Sequence, residues 1–181
     1  HVIRYLSRAD HHPRPSCLSN LKQLGFIYKI YADENDGMYP RMTPTVGCFS
    51  MAMDTLHPLY INDLSILCCP TNKALSVAIQ RSKSQPIWGL DRNSYLYMGY
   101  VLLNADEGQA FVEMCKTRMA ENKWLSGEIS APKGKGSGGG DFFLPFTKDI
   151  AEHLPVKTTT AEIPIICEKT GNHDRSVNVL F

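Results

Sequence analysis

The sequence lacks an excess of charge of either sign. Its 181 residues include 19 lysines and arginines against 18 acidic residues, which gives a formal net charge of +1. A protein that binds nucleic acid needs surplus basic side chains to neutralise phosphates, so the composition disfavours that class. Long apolar runs are also missing: the longest stretch without a charged residue is 93–105, whereas a membrane-spanning helix needs about 20 apolar residues. The sequence therefore predicts no helix that crosses a bilayer.

The cysteines lack the C-x-x-C spacing that is typical of zinc sites. They lie at Cys17, Cys48, Cys68, Cys69, Cys115 and Cys167. Two interpretations stay open for these residues: buried thiols in a reducing compartment, or disulfides in an oxidising one, with the pairing unspecified. Zinc is disfavoured because Cys68 and Cys69 are adjacent, which is a poor geometry for chelation, and because Cys167 and His173 lack the spacing of a zinc finger.

No constellation of catalytic residues rises above what chance would produce. The best local pair is Cys167 with His173, next to Asp174, but a core cysteine beside a turn histidine is the simpler explanation. Glu107 and Glu113 lie six positions apart on a predicted helix and therefore on different faces of it. We predict that the protein is not an enzyme and that it has no cofactor.

The first helix is predicted from Ser16, an N-cap residue, to about Asn35. At 100° per residue its apolar residues fall within one half of the cylinder. These residues are Cys17, Leu18, Leu21, Leu24, Ile27, Tyr28, Tyr31 and Ala32. We expect this face to pack on a sheet. Phe26 and Ile30 lie four apart on the otherwise polar side, where either a later loop buries them or another subunit contacts them.

The helix is predicted to end in the acidic residues 33–37, with Gly37 as a left-handed cap. An acidic cluster that ends in glycine raises the question of calcium. It lacks the alternating ligands and the distal glutamate of an EF-hand loop, so a solvated helix end is the favoured interpretation.

The remaining pattern predicts an α+β fold. Asn104 is the N-cap of a second helix that continues to about Asn122. Strands are predicted at residues 59–68, 95–103, 163–168 and 176–181, the last two as a hairpin. Glycine-rich residues 133–140 are predicted to be a flexible surface loop. They are not a phosphate-binding loop, because Lys135 is followed by glycine rather than serine or threonine. We expect residues 1–15 to be an irregular segment and residues 16–181 to be one domain, truncated at its C-terminus.

Two segments carry a resemblance to a known family. Residues 16–25 contain Cys-x-x-Asn-Leu-Lys-Gln-Leu-Gly, and residues 31–40 read Tyr-Ala-Asp-Glu-Asn-Asp-Gly-Met-Tyr-Pro. Residues 67–70 (Leu-Cys-Cys-Pro) and the ending Asn172-His173 … Asn178-Val179-Leu180-Phe181 add two further matches. Together these motifs resemble the bacterial prepilin-like proteins related to type II secretion pseudopilins, which are abundant in planctomycetes and verrucomicrobia.

The resemblance implies a pilin-like head, in which an N-terminal helix packs on an antiparallel sheet, with a second short helix and long loops. It implies a hydrophobic anchor helix before His1, made after a prepilin-type processing and methylation site, and a location at the periplasmic or cell-surface face of the inner membrane. The chain is accordingly interpreted as a fragment cut at both ends. Partners would be other pilin-like subunits or copies of itself, together with the secretion and assembly machinery, and no nucleic acid.

Calcium binding is implied by the family, but its ligands cannot be assigned to residues here. Pro13 and Pro15 depart from the family pattern, because they should interrupt a helix that runs unbroken from the anchor. Phe26 and Ile30 are the candidates for subunit contact.

The alternative function is a cell-surface module that binds a glycan or a protein, with Trp88, Trp124 and the tyrosines of residues 95–100 as a stacking platform.

Overall fold

The described part of the chain mixes helices with short antiparallel strands, as an α+β fold does. The computed structural model describes residues 3–7, 15–69, 94–159, 163–168 and 176–180. Its helices are α1 (Pro15–Glu34), α2 (Ala105–Ala120) and α3 (Ile150–His153). Its strands are β1 (Ile3–Ser7), β2 (Tyr95–Tyr97), β3 (Ile129–Ser130), β4 (Phe142–Phe143), β5 (Ile166–Glu168) and β6 (Ser176–Leu180). Among these helices, none combines the length and the apolar character needed to cross a membrane.

The main sheet has the strand order β1-β6-β5-β2, and every neighbouring pair in it is antiparallel. Ile3 lies opposite Leu180, and Tyr97 lies opposite Ile166. The second sheet contains only β3 and β4. Helix α1 packs against β6 of the main sheet, so the hydrophobic core lies between this helix and the strands.

Helix α1 forms where the apolar periodicity predicts it. It begins one residue earlier than expected, at Pro15, because proline suits the first turn, where its missing N–H would have no helical partner. Its buried face is complete: Cys17, Leu21, Leu24, Tyr28 and Ala32 are each at most 1% exposed. The helix therefore presents one continuous apolar stripe to the core.

Two of the three capping signals in the sequence are confirmed. The third is wrong: Ser16 lies inside α1, which begins at Pro15, so it is not the N-cap of that helix. Gly37 has φ +77°, and its N–H donates to the Ala32 carbonyl at 2.9 Å, which closes α1. At α2, the Asn104 side chain accepts from the N–H of Glu107 at 2.9 Å. Glu107 reaches back and accepts from the Leu103 N–H at 2.8 Å and from the Asn104 amide at 2.7 Å, which is a reciprocal capping box.

One of the four predicted strands is absent, and two others are longer than the strands observed. Residues 59–68 are turns and the 3-10 helix Leu64–Leu67, because the Asp63 carboxylate accepts from the Ser65 N–H and caps a helical turn. Residues 95–103 form a strand only over Tyr95–Tyr97, since Gly99 adopts φ +64° and turns the chain away from β5. The strand predicted at 163–168 forms only over Ile166–Glu168, as β5, and the one predicted at 176–181 forms over Ser176–Leu180, as β6. The two strands pair antiparallel, as the sequence predicted.

The N-terminal segment also differs from its expected form. The sequence predicted that residues 1–15 would be irregular, but Ile3–Ser7 form β1 and pair with all of β6. This pairing joins residues that are more than 165 positions apart in the chain, so no local pattern could indicate it.

Candidate functional site

The first turns of α1 meet the segment that contains Cys68 and Cys69. The Sγ atoms of Cys17 and Cys69 lie 2.8 Å apart, and both residues are fully buried. The side-chain amide of Asn20 donates to the Cys68 carbonyl at 3.0 Å and to the Tyr95 hydroxyl at 3.2 Å. We call Cys17, Asn20, Cys68 and Cys69 the helix junction.

The helix junction brings together two motifs that the sequence analysis treated separately. Cys17 and Asn20 are three residues apart, and this spacing places both side chains on one face of a helix. The Cys-x-x-Asn motif of α1 therefore contacts the Cys-Cys-Pro step directly. Asn20 was missed as a contact residue, although its spacing from Cys17 was a usable signal. Burial raises the pKa of the Cys68 thiol above its ordinary value, so this thiol is protonated at neutral pH.

The opposite side of α1 carries Phe26 and Ile30, the predicted subunit-contact residues. Phe26 is 65% exposed and Ile30 is 49% exposed. Lys22 and Lys29, also exposed, lie on the same half of the helix. Of the two interpretations of Phe26 and Ile30, burial by a later loop does not occur in the described part of the chain. We call Phe26 and Ile30 the outer apolar pair.

The acidic end of α1 is occupied by contacts within the protein. Lys148 forms an ion pair with Asp33 at 2.6 Å and holds the pKa of that carboxyl below its ordinary value. Glu34 accepts from the Tyr60 hydroxyl at 2.7 Å. Among residues 3–7, 15–69, 94–159, 163–168 and 176–180, no three potential metal-ligating side chains come together.

The remaining cysteines occupy three separate places. Cys48 is buried, and its carbonyl accepts from the Trp124 indole N–H at 3.2 Å. Cys115 is buried on α2, and burial raises its pKa to about 11. Cys167 lies half-buried on β5, opposite Leu96 and Val179. His173 and Asp174, the other members of the best catalytic pair, lie outside the described residues.

The aromatic residues proposed as a stacking platform are core residues instead. Tyr95, Tyr97, Tyr100 and Trp124 are all at most 7% exposed. Their polar tips bond inward: the Tyr97 hydroxyl donates to the Pro40 carbonyl at 2.6 Å, and the Tyr100 hydroxyl to the Gly127 carbonyl at 2.8 Å. This part of the platform hypothesis is therefore wrong. Trp88 lies outside the described residues.

A cavity of about 340 Å³ opens beside this aromatic cluster. Its wall includes Met38, Pro44, Tyr100, Trp124 and Phe146, which are mostly apolar surfaces. No nucleophile with an adjacent base lines it, and Arg41 at its edge pairs with Asp54. The cavity is therefore an open, mainly apolar pocket.

The glycine-rich segment is only in part the surface loop that the sequence predicted: residues 133–135 and Gly139 are exposed, whereas residues 136–138 are buried. Ser137 is 1% exposed, and its hydroxyl donates to the Val101 carbonyl at 2.8 Å and accepts from the Leu144 N–H at 2.9 Å. Gly136 and Gly138 are buried on either side of it. The glycines allow the chain to fold closely around this hydroxyl, so residues 136–138 are packed into the structure.

Comparisons with protein-family models, with curated proteins and with solved structures found no match for the chain. The resemblance to prepilin-like proteins therefore rests on the short motifs themselves.

Proposed function

We propose that the chain is the head of a non-enzymatic, pilin-like structural subunit that resembles the pseudopilins of type II secretion. In this proposal a hydrophobic N-terminal helix anchors the subunit in the inner membrane, and the head faces the periplasm or the cell surface. The subunit assembles with copies of itself or with other pilin-like subunits. Two facts support it: the family-like motifs contact each other at the helix junction, and α1 lies against an antiparallel sheet.

The observation that carries the proposal is the two-sided character of α1. One face of the helix is fully buried in the head, whereas the outer apolar pair projects from the opposite side. Phe26 and Ile30 are one helical turn apart, so a single neighbouring surface can cover both. A structural subunit needs such an adhesive surface and does not need an active site.

Strand β1 limits how such a subunit could assemble. Residues 3–7 are a strand, so α1 does not continue as a helix through them. A single helix that runs unbroken from a membrane anchor through α1 does not fit this strand, and Pro13 and Pro15 also disfavour it. Assembly is assigned to the outer apolar pair and to the surfaces of the head.

The size of the expected association energy follows from the exposed fractions. Complete burial of one such side chain contributes about 1.5–3 kcal/mol relative to leaving it in water. Since Phe26 is 65% exposed and Ile30 is 49% exposed, covering both contributes about 2–3 kcal/mol per copy. A change of this size corresponds to at least a tenfold change in the dissociation constant.

The test is the double variant Phe26→Asp with Ile30→Asp, examined by sedimentation equilibrium at increasing protein concentration. We expect the fold to persist, with a change in unfolding free energy of about 0.5 kcal/mol or less, because both sites are solvent-exposed. Self-association should weaken at least tenfold, because two buried charges would replace two apolar contacts.

The matched control is Leu59→Asp with Val112→Asp. Both residues are exposed apolar residues outside α1, and the pair introduces the same added charge. This control should associate like the original chain. Equal association of the two double variants would refute the assignment of the surface. Failure of the first double variant to fold would show that Phe26 and Ile30 support the core.

A further inference from the structure

Cys17 and Cys69 are placed for a covalent link across the helix junction. Their Sγ atoms are 2.8 Å apart, and a disulfide bond is about 2.05 Å, so closing it requires a displacement of only about 0.8 Å. Both side chains are 0% exposed. We infer that Cys17 and Cys69 form a disulfide bond when the chain folds in an oxidising compartment, and that this bond fixes the start of α1 to the 64–69 segment.

The backbone selects Cys69 rather than its neighbour Cys68. Cys68 has an extended conformation, with φ −109° and ψ 126°, and successive side chains of an extended chain point in opposite directions. The Cys68 thiol donates to the Cys69 carbonyl, at 3.4 Å. The carbonyl of Cys68 is held by Asn20, which aligns the segment so that Cys69 faces Cys17.

The chemistry is thiol–disulfide exchange with an oxidised dithiol protein or with glutathione disulfide. The thiolate of one cysteine attacks the disulfide of the oxidant, forming a mixed disulfide and releasing one thiolate of the oxidant. The thiolate of the other cysteine then attacks the mixed disulfide, forming the Cys17–Cys69 bond and releasing the second thiolate. Two electrons pass to the oxidant, and the two thiol protons end on its two sulfurs.

Burial determines when this reaction occurs. An oxidant cannot reach sulfur atoms that are 0% exposed, so the bond must form during folding rather than in the folded head. Once formed, it closes a loop between residues that are 52 positions apart. For a loop of that length, the loss of freedom in the unfolded chain raises the ratio of folded to unfolded protein by up to roughly a thousandfold.

This inference rests on the proposed function in one respect, because export supplies the oxidising compartment. The pairing itself is tested in the purified full chain. Reduced, denatured protein is refolded in a buffer of reduced and oxidised glutathione, alkylated in denaturant, digested without reduction and examined by mass spectrometry. We expect one cross-linked product that joins the peptide of Cys17 to the peptide of Cys69 and is lost on reduction.

Two serine variants distinguish the adjacent cysteines. Cys69→Ser should lose the cross-link, and Cys68→Ser should keep it. The urea midpoint of the original chain should be higher when it is refolded with glutathione than when it is kept reduced, and Cys69→Ser should show no such difference. The comparison of the original chain in its oxidised and reduced forms does not depend on how well any variant folds.

Alkylated Cys17 in the refolded protein would overturn the inference, and so would an undiminished cross-link in Cys69→Ser. The outcomes are separate from those of the proposed function. A cross-link in a head whose association is insensitive to the outer apolar pair supports the disulfide and contradicts the proposed assembly surface. Association through that pair without a cross-link contradicts only the disulfide.

Discussion

Replacing Gly136 with alanine tests whether the glycine-rich segment is packed, as described above, or flexible, as the sequence predicted. A β-carbon at Gly136 would lie 2.3 Å from the carbonyl oxygen of Phe142 and 2.7 Å from its backbone nitrogen. Those atoms belong to β4 and cannot rotate away like the end of a flexible side chain. Gly136 itself has φ −83° and ψ −171°, which any residue adopts, so the whole effect comes from packing.

The expected loss of stability follows from the backbone displacement that the added β-carbon requires. Relief of the overlap requires a shift of about 1 Å, since unbonded carbon and oxygen atoms pack more than 3 Å apart. Overpacking of this kind costs typically 1–3 kcal/mol, and the shift also strains the hydrogen bond from the Gly136 N–H to the Gly140 carbonyl, which is 2.7 Å long. We expect Gly136→Ala to lower the unfolding free energy by about 3 kcal/mol, which lowers Tm by roughly 6–12 °C.

Two other glycines provide the controls. Gly139 has φ +79° but nothing within 4 Å of a β-carbon, so Gly139→Ala should cost about 1 kcal/mol from backbone strain alone. Gly108 lies within α2 in open space, so Gly108→Ala should stabilise the protein by about 0.5–1 kcal/mol. Urea denaturation with a constant m-value measures all three variants. If Gly136→Ala is no less stable than Gly139→Ala, the packed description of the segment is refuted.

Two further predictions concern hydrogen bonds in the head. Tyr28→Phe should leave the free energy of unfolding unchanged or raise it slightly, because the Tyr28 hydroxyl is fully buried and has no hydrogen-bond partner among the described residues. Tyr97→Phe should lower the free energy of unfolding by about 1–2 kcal/mol, because the Tyr97 hydroxyl donates to the Pro40 carbonyl. Equal urea midpoints for these two variants would contradict this reasoning. Asn104→Ala should lower the free energy of unfolding by about 1 kcal/mol, because it removes the cap of α2, whereas Asn104→Asp should retain most of the stability. A circular-dichroism melt in which both variants match the original chain would show that the cap is unimportant.

The helix boundaries could be predicted because their causes are local. The apolar stripe of α1 and the caps at Gly37 and Asn104 involve residues within a few positions of one another. A helix is stabilised by contacts between residues three and four apart, so a short window of sequence contains the information. The hairpin of β5 and β6 was predicted for the same reason, since its strands are adjacent in the chain.

The candidate site was only partly predictable. The outer apolar pair followed from helical periodicity, because the faces of a helix can be computed from the sequence. The helix junction did not, since the distance between Cys17 and Cys69 depends on how 52 intervening positions fold. With six cysteines and no rule for pairing, the sequence left every combination open.

By itself, the sequence determined the two long helices, the caps at Gly37 and Asn104, the β5–β6 hairpin and the side of α1 on which Phe26 and Ile30 lie. Tertiary structure alone decided three other features: the pairing of β1 with β6, the burial of Ser137 among glycines, and the meeting of Cys17 with Cys69. The physical reason is the range of the interactions. Propensity and periodicity act within about two helical turns, whereas the close approach of distant segments depends on the packing of the whole core.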